Sequence, residues 1–310
     1  MKTINTEHFG IQRKIVANMT SESWREIPHV SYIYEADVTR LFSLYKEMNS
    51  EYTAKISFNT LILKIITEGL KAAPKMNSHI NFNRRLVRGQ INTFKNINIS
   101  MPMIMPDGKM MTVNLREFED RDLDEMTVYI NDITRRAKNT DLNEALFSVS
   151  LHDTLKSLKK GHILKTIYRL IGSKTGKHRV RTLKGKEKRA YEAVSETERL
   201  TAFDLEQGTV TVSNIGSTFL GQRGAMALLE IIPPQVCAFG VGAVQKKPVV
   251  TEDDKIEIRQ ILPVCIAFDH RALDFGEIVP FMKRTEEILN NPEIIFSWRK
   301  ESRRLKRISA

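Results

Sequence analysis

Near its C-terminal end the chain reads AFDHRALDFGE over residues 267–277, directly after the apolar run ILPVCI. A histidine, His270, and a carboxylate, Asp274, stand four residues apart between an expected strand and an expected helix. Imidazole has an unperturbed pKa near ~6.5, which suits a base that takes a proton at neutral pH. Asp274 at this spacing can fix the backbone of the turn or bind a cation that holds it. The same residues also describe an ordinary polar turn capping a helix, and spacing alone leaves both readings open. Location at the exit of a buried strand is where short segments on a rigid scaffold commonly carry reactive groups.

Other chemistries find no support in the residues. The seven histidines include no HExxH and no pair at ligand spacing, and no CxxC is present, so no metal site is expected. There is no GxxxxGK[ST] and no GxGxxG after a strand; the GVG of AFGVGAV falls inside a strand, where glycine permits close backbone approach. Cys237 and Cys265 both lie in apolar runs, which predicts buried thiols and a reducing, cytoplasmic setting.

The elements that must position His270 follow from periodicity. IQRKIVANMTSESWR reads as an opening helix, ended before Pro28, and Val30, Tyr32 and Tyr34 then alternate as a strand. Asp37 or Thr39 can cap a short helix RLFSLYKEM, and Ser57 caps an amphipathic helix closed by Pro74. Strand-like segments follow at RLVRG, NINISMPMIM and MMTVNL, the last two joined by a Pro106-Asp107-Gly108-Lys109 turn, before the helical LDEMTVYINDITRRAK. ALFSVSLHDTLKSL, HILKTIYRLIG and RAYEAVSETERL read as helices, with a solvated loop before the last. TVTVSNIG, VCAFGVGAV and IEIRQILPVCIAF then return to strand, and GEIVPFMKRTEEIL to helix. Such intermixing predicts an α/β fold with a mixed sheet covered by helices on one face, built as a single domain over residues 1–310.

No apolar run approaches the ~20 residues that span a bilayer, and the N-terminus lacks a signal-peptide core. The net charge is +11, and residues 151–200 hold 14 Lys and Arg against 5 Asp and Glu, so one stretch carries +9 of it. This stretch reads as a basic, mostly helical insertion over residues 141–203. It is either a solvated excursion or a docking surface for something anionic, such as an acidic carrier protein, CoA phosphates or a membrane surface. No recognition motif supports nucleic acid as the partner.

DHRALD resembles the DHRxxDG signature of the acyltransferase catalytic domain of 2-oxoacid dehydrogenase complexes, the dihydrolipoamide acyltransferases, whose fold chloramphenicol acetyltransferase shares. IPHVSYIYEADVTRL, SFNTLILKIITEGLKAAPKMNSHI, MPDGKMMTVN, GTVTVSNIG and IIPPQVCAFGVGAV are similar to further stretches of that family, in the same order. The resemblance covers about residues 10–140 and 204–296. It implies a CoA-dependent acyltransferase in which His270 is the general base, Ser213 donates to the oxyanion and Asp274 holds the turn. It implies acyl-CoA as substrate, a ternary complex, no covalent enzyme intermediate, and a homotrimer or multiple of trimers with His270 and Ser213 brought together from adjacent subunits.

The sequence departs from the family at three points. Phe275 stands where the signature has glycine, and Asn18 where the opening helix often has arginine, leaving Arg13 or Arg25 to supply that cation. No lipoyl domain precedes the catalytic residues, so the expectation is a free-standing enzyme with no lipoyl group of its own. The alternative reading is a degenerate acyltransferase fold kept as a trimeric scaffold or binding module; Phe275 and Asn18 favour it, and the retained His270, Asp274 and Ser213 oppose it.

Overall fold

The computed structural model describes residues 1–105, 108–159, 171, 175–176, 179–180 and 182–300. Contacts divide the chain into two units. One comprises Met1–Glu22, Met103–Asn114 and Asp132–Gln207; the other comprises Ser23–Pro102, Leu115–Asn131 and Gly208–Ala310.

The second unit is built on a mixed sheet. Its strands are β1 (His29–Asp37), β4 (Ile99–Ile104, its distal end passing into the first unit), β6 (Val210–Asn214), β7 (Cys237–Val241), β8 (Gln245–Val250) and β9 (Ile256–Asp269). They run in the order β1-β9-β7-β6-β4, with β8 pairing β9. β9 is antiparallel to β1, β7 and β8, while β6 is parallel to β4 and β7. Residues 261–269 of β9 are buried throughout, because β1 and β7 flank them and both faces are covered; ILPVCIAF is therefore continuously apolar and does not alternate. The exposed first half of β9 pairs only with β8, an edge strand that tolerates Pro248.

Two helices cover one face of this sheet, as the sequence predicts. Ser57 caps α3 (Phe58–Ala72), accepting from Thr60 N–H at 3.0 Å. α3 packs against α8 (Phe275–Asn290) so closely that a Cβ on Gly69 would lie 2.5 Å from the Phe281 ring. Phe281 also stacks at 5.1 Å on Phe239 of β7. On the opposite face Ala238 and Ala267 pack with Ile27 and Ile231, and Leu228 and Leu229 adjoin them. α1 (Ile11–Glu26) ends before Pro28, and α2 (Thr39–Glu51) begins where the Asp37 carboxylate accepts from Thr39 N–H at 2.9 Å.

Of RLVRG only Arg88 and Gly89 are strand. β2 (Ser78–Asn83) and β3 (Arg88–Thr93) form a separate hairpin, and residues 84–87 are its turn. The cause is local: Asn83 Oδ1 accepts from the N–H groups of Arg85 and Leu86 at 3.1 Å, and Val87 adopts a φ of 49°. At the other edge of the unit, Asp124 in the first turn of α4 (Leu123–Lys138) meets Arg299, just after the short α9 (Ile294–Ser297); both side chains are 0% exposed.

The first unit contains most of β5 (Met110–Leu115), joined to β4 by a turn in which Met105 N–H donates to Lys109 O at 2.7 Å and Gly108 has a φ of 78°. Pro106 and Asp107 of the predicted turn lie outside the described residues. This unit also holds the described part of the basic stretch: α5 (Leu142–Lys159), α6 (Gly185–Ala193) and α7 (Ala202–Leu205). The predicted helix HILKTIYRLIG lies almost wholly outside the described residues. The helix expected at RAYEAVSETERL starts earlier, at Gly185, and stops at Ala193. The chain from 196 to 204 is strapped to the end of α4: Arg136 pairs with Asp204 at 2.6 Å and donates to Arg199 O, and Leu200 N–H donates to Thr140 Oγ1. The excursion therefore opens and closes at one place. Among the described residues no helix is long and apolar enough to cross a membrane.

Candidate active site

The turn carrying His270 is anchored before the histidine is reached. Asp269 ends β9 with its side chain 0% exposed and its N–H donating to Val236 O at 2.9 Å. A buried carboxylate requires compensation, and Arg271 supplies it from inside the same motif. The Arg271 Nη2 donates at 2.6 Å, its Nε at 3.0 Å and its backbone N–H at 2.9 Å. Asp269 O then accepts from Ala272 and Leu273 N–H, and His270 N–H donates to Pro28 O at 3.1 Å. Five consecutive residues are thereby tied down around a half-exposed imidazole.

The imidazole's orientation follows from what it faces. Nδ1 lies 3.2 Å from Leu273 O and 3.3 Å from Asp274 Oδ1. A carbonyl and a carboxylate can only accept, so the neutral ring carries its proton on Nδ1 and presents an unshared pair at Nε2. The His270 side chain is 53% exposed and that of Asp274 is 79% exposed. With so much solvent around it, this pair contributes little stability; its effect is to fix tautomer and direction.

Asp274 belongs both to the histidine turn and to the helix cap. It is the N-cap residue of α8, and its N–H donates to Glu277 Oε2 at 2.8 Å in the reciprocal half of a capping box. Helix initiation and ring orientation use different atoms of one residue. The turn itself is held by Asp269 and Arg271, two residues the sequence reading passed over. Their signal was a charged D-H-R run at the end of a wholly apolar strand.

Phe275 is the first residue of α8 and has no positive φ, so the turn keeps its form without glycine. Its ring, 48% exposed, meets Tyr32 edge-on at 5.4 Å. Asn18 and Arg13 are exposed, and Arg25 pairs with its neighbour Glu26 at 2.9 Å. The cation that holds the turn is Arg271.

Ser213 lies on β6, on the face opposite α3 and α8. It is in register with Gly240 of β7, and Gly240 with Cys265 of β9, five residues before His270. Five residues at ~3.3 Å and two strand spacings at ~4.8 Å put the Ser213 and His270 backbones about 19 Å apart. One carbonyl within ~3 Å of both groups is out of reach inside a single chain. The structure brings His270 and Asp274 together and keeps Ser213 apart from them.

The glycines of GVG permit close approach, as expected. A Cβ on Gly242 would lie 2.8 Å from Pro263 Cγ, and one on Gly216 would lie 2.2 Å from Gly242 O. Both cysteines are free and buried, and burial raises both thiol pKa values. His29, the histidine of IPH, is structural: Ile231 N–H donates to its Nε2 at 3.2 Å, and burial lowers its pKa. Among the described residues no group of three or more His, Cys, Asp or Glu is placed to hold a metal ion.

The fold is thus a mixed sheet with paired covering helices and a histidine turn at the exit of β9. The model of the 2-oxoacid dehydrogenases acyltransferase (catalytic domain) family matches residues 2–150 and 177–297, and the chain belongs to that family. The lipoamide acyltransferase component of the branched-chain alpha-keto acid dehydrogenase complex of Bacillus subtilis is 24% identical over 286 residues, covering 91% of this chain and 51% of that protein. The chain thus spans about half the length of the curated relatives it matches. Two solved structures share the fold at 18% identity. The cubic core of the pyruvate dehydrogenase multienzyme complex has a TM-score of 0.65, and the dihydrolipoamide acetyltransferase of Azotobacter vinelandii one of 0.64; each covers 95% of this chain and 94% of its own.

Proposed function

We propose that this protein is a CoA-dependent acyltransferase, moving an acyl group between CoA or a carrier thiol and an acceptor thiol, hydroxyl or amine. The observation that carries this reading is the half-exposed His270 ring, with Nδ1 turned onto two acceptors, which leaves the unshared pair on Nε2. Nε2 removes the proton from the acceptor as its sulfur or oxygen attacks the thioester carbonyl. The resulting oxyanion accepts a hydrogen bond from Ser213, a contribution of about 3 kcal/mol for one prepositioned donor. Collapse expels the CoA thiolate, which takes the proton back from the imidazolium, so the enzyme ends as it began. Coenzyme A acts as a substrate, and the reaction requires no metal and no covalent enzyme intermediate.

The catalytic mechanism of the Azotobacter vinelandii protein has been investigated at a serine, a histidine and an asparagine four positions after the histidine. Asp274 stands at that spacing here, with its Oδ1 3.3 Å from His270 Nδ1. Because Ser213 and His270 are about 19 Å apart within one chain, the working site is composite: His270 of one subunit faces Ser213 of the next in a homotrimer or multiple of trimers. The chain acts as one catalytic domain carrying the basic insertion, a reading supported by the family match passing over residues 151–176. That Phe275 enters α8 without a positive φ weighs against the alternative of a degenerate scaffold.

The direct test incubates the protein with acetyl-, propionyl- or isobutyryl-CoA and dihydrolipoamide or a hydroxyl acceptor, and follows acylated product by mass spectrometry. Acceptor-dependent product with at least one donor is expected. Absence of transfer across the whole set would overturn the assignment.

A further inference from the structure

The oxyanion donor assigned above sits at the last-but-one position of a short strand, where a chain end ordinarily has freedom. Here it has little. Along β6 side chains alternate, so Val212 and Asn214 face the helices while Thr211 and Ser213 face the opposite side. Asn214 uses both ends of its amide. Its Nδ2 donates to Asn59 Oδ1 at 2.7 Å, on the first turn of α3, and its Oδ1 accepts from Ser217 N–H at 2.9 Å. The Ser217 hydroxyl returns a bond to Asn214 O at 2.7 Å. Beyond it, Ile215 and Gly216 N–H both donate to Val241 O, and Gly216 lies against Gly242 with no room for a side chain.

We propose that Asn214 is a positioning residue that fixes the Ser213 hydroxyl as oxyanion donor by clamping the end of β6 between α3 and the Ser217 turn. This rests on the acyltransferase reading and on Ser213 as the donor. The chemistry of the side chain fits the task. Only a carboxamide both donates to Asn59 and accepts from the Ser217 backbone; Asp lacks the donor and Ala lacks both. An oxyanion donor acts only if it is held within ~0.5 Å of its working place, so a strand end free to fray forfeits Ser213 while leaving substrate binding intact. Asn214 touches no reacting atom and acts wholly through its neighbour.

A double-mutant cycle on the assembled protein separates this role from a merely structural one. Asn214→Ala lowers kcat roughly tenfold or more, with the KM for acyl-CoA moved by no more than about twofold. Ser213→Ala slows the enzyme further, and the Ser213→Ala/Asn214→Ala double variant is no slower than Ser213→Ala alone. Asn59→Ala, which removes the clamp from the α3 side, gives the same non-additive result and carries the test if Asn214→Ala loses the fold. An unchanged kcat in Asn214→Ala or Asn59→Ala, or losses that multiply in the double variant, would overturn the proposal while leaving the acyltransferase assignment standing. Unchanged turnover in Ser213→Ala would instead remove the donor assignment, and this proposal with it.

Discussion

Replacing His270 with alanine lowers acyl transfer by about 10³-fold or more, because the proposed base that accepts the proton of the acceptor is lost. The same change leaves the fold and the assembly intact. The imidazole is half-exposed, its polar contacts are with Leu273 O and Asp274, and its ring meets Phe268 edge-on at 6.2 Å, so truncation strands no buried polar group. The turn is held by the Asp269–Arg271 pair and by backbone hydrogen bonds that do not involve the ring. Stability therefore changes by less than about 0.5 kcal/mol, as for surface substitutions generally. Steady-state turnover and a urea titration on one preparation check both halves. Wild-type turnover in His270→Ala would refute the mechanism.

Asp124→Ala has the opposite profile, with a large loss of stability and no direct loss of chemistry. Arg299 donates to Asp124 from Nη2 at 2.8 Å, and Lys300 N–H donates to the same carboxylate at 3.0 Å. The guanidinium also donates to Ala54 O at 2.7 Å and lies 4.1 Å over the Tyr52 ring. Removing the carboxylate leaves a fully buried cation without its counter-charge, which costs about 3–5 kcal/mol. Domains are commonly stable by only about 5–15 kcal/mol, so the variant approaches the limit of folding. A urea midpoint falling by less than the equivalent of about 1 kcal/mol would show that Arg299 finds water or another partner.

Much of this was legible in the residues, for physical reasons that differ from place to place. AFDHRALDFGE, TVTVSNIG and IIPPQ are short segments whose backbone geometry demands particular side chains, so their motifs survive as text. α3 announced itself through Ser57 and its apolar period, and its limits followed. RLVRG misled because an apolar pair in a turn looks like strand until Asn83 is seen capturing the turn's N–H groups. β8 was missed because QKKPVV pairs only along one edge and needs little hydrophobic periodicity. Asp269 and Arg271 were passed over because only the burial of Asp269 shows that their pairing holds the turn, and Asn214 because its partner Asn59 lies far off in the chain, on α3. Strand register likewise decides that Ser213 and His270 are about 19 Å apart, and no spacing along the chain encodes that distance.

That separation is also where the account is most exposed. If each working site takes His270 from one subunit and Ser213 from its neighbour, two damaged proteins can repair one another. His270→Ala and Ser213→Ala chains, unfolded together in denaturant and refolded as a one-to-one mixture, form interfaces that contain an intact His270 facing an intact Ser213. Random association makes about one interface in four complete. The mixture is therefore expected to recover about a quarter of wild-type acyl transfer, well above either variant refolded alone. Activity no greater than the mean of the two separate variants would contradict the composite site.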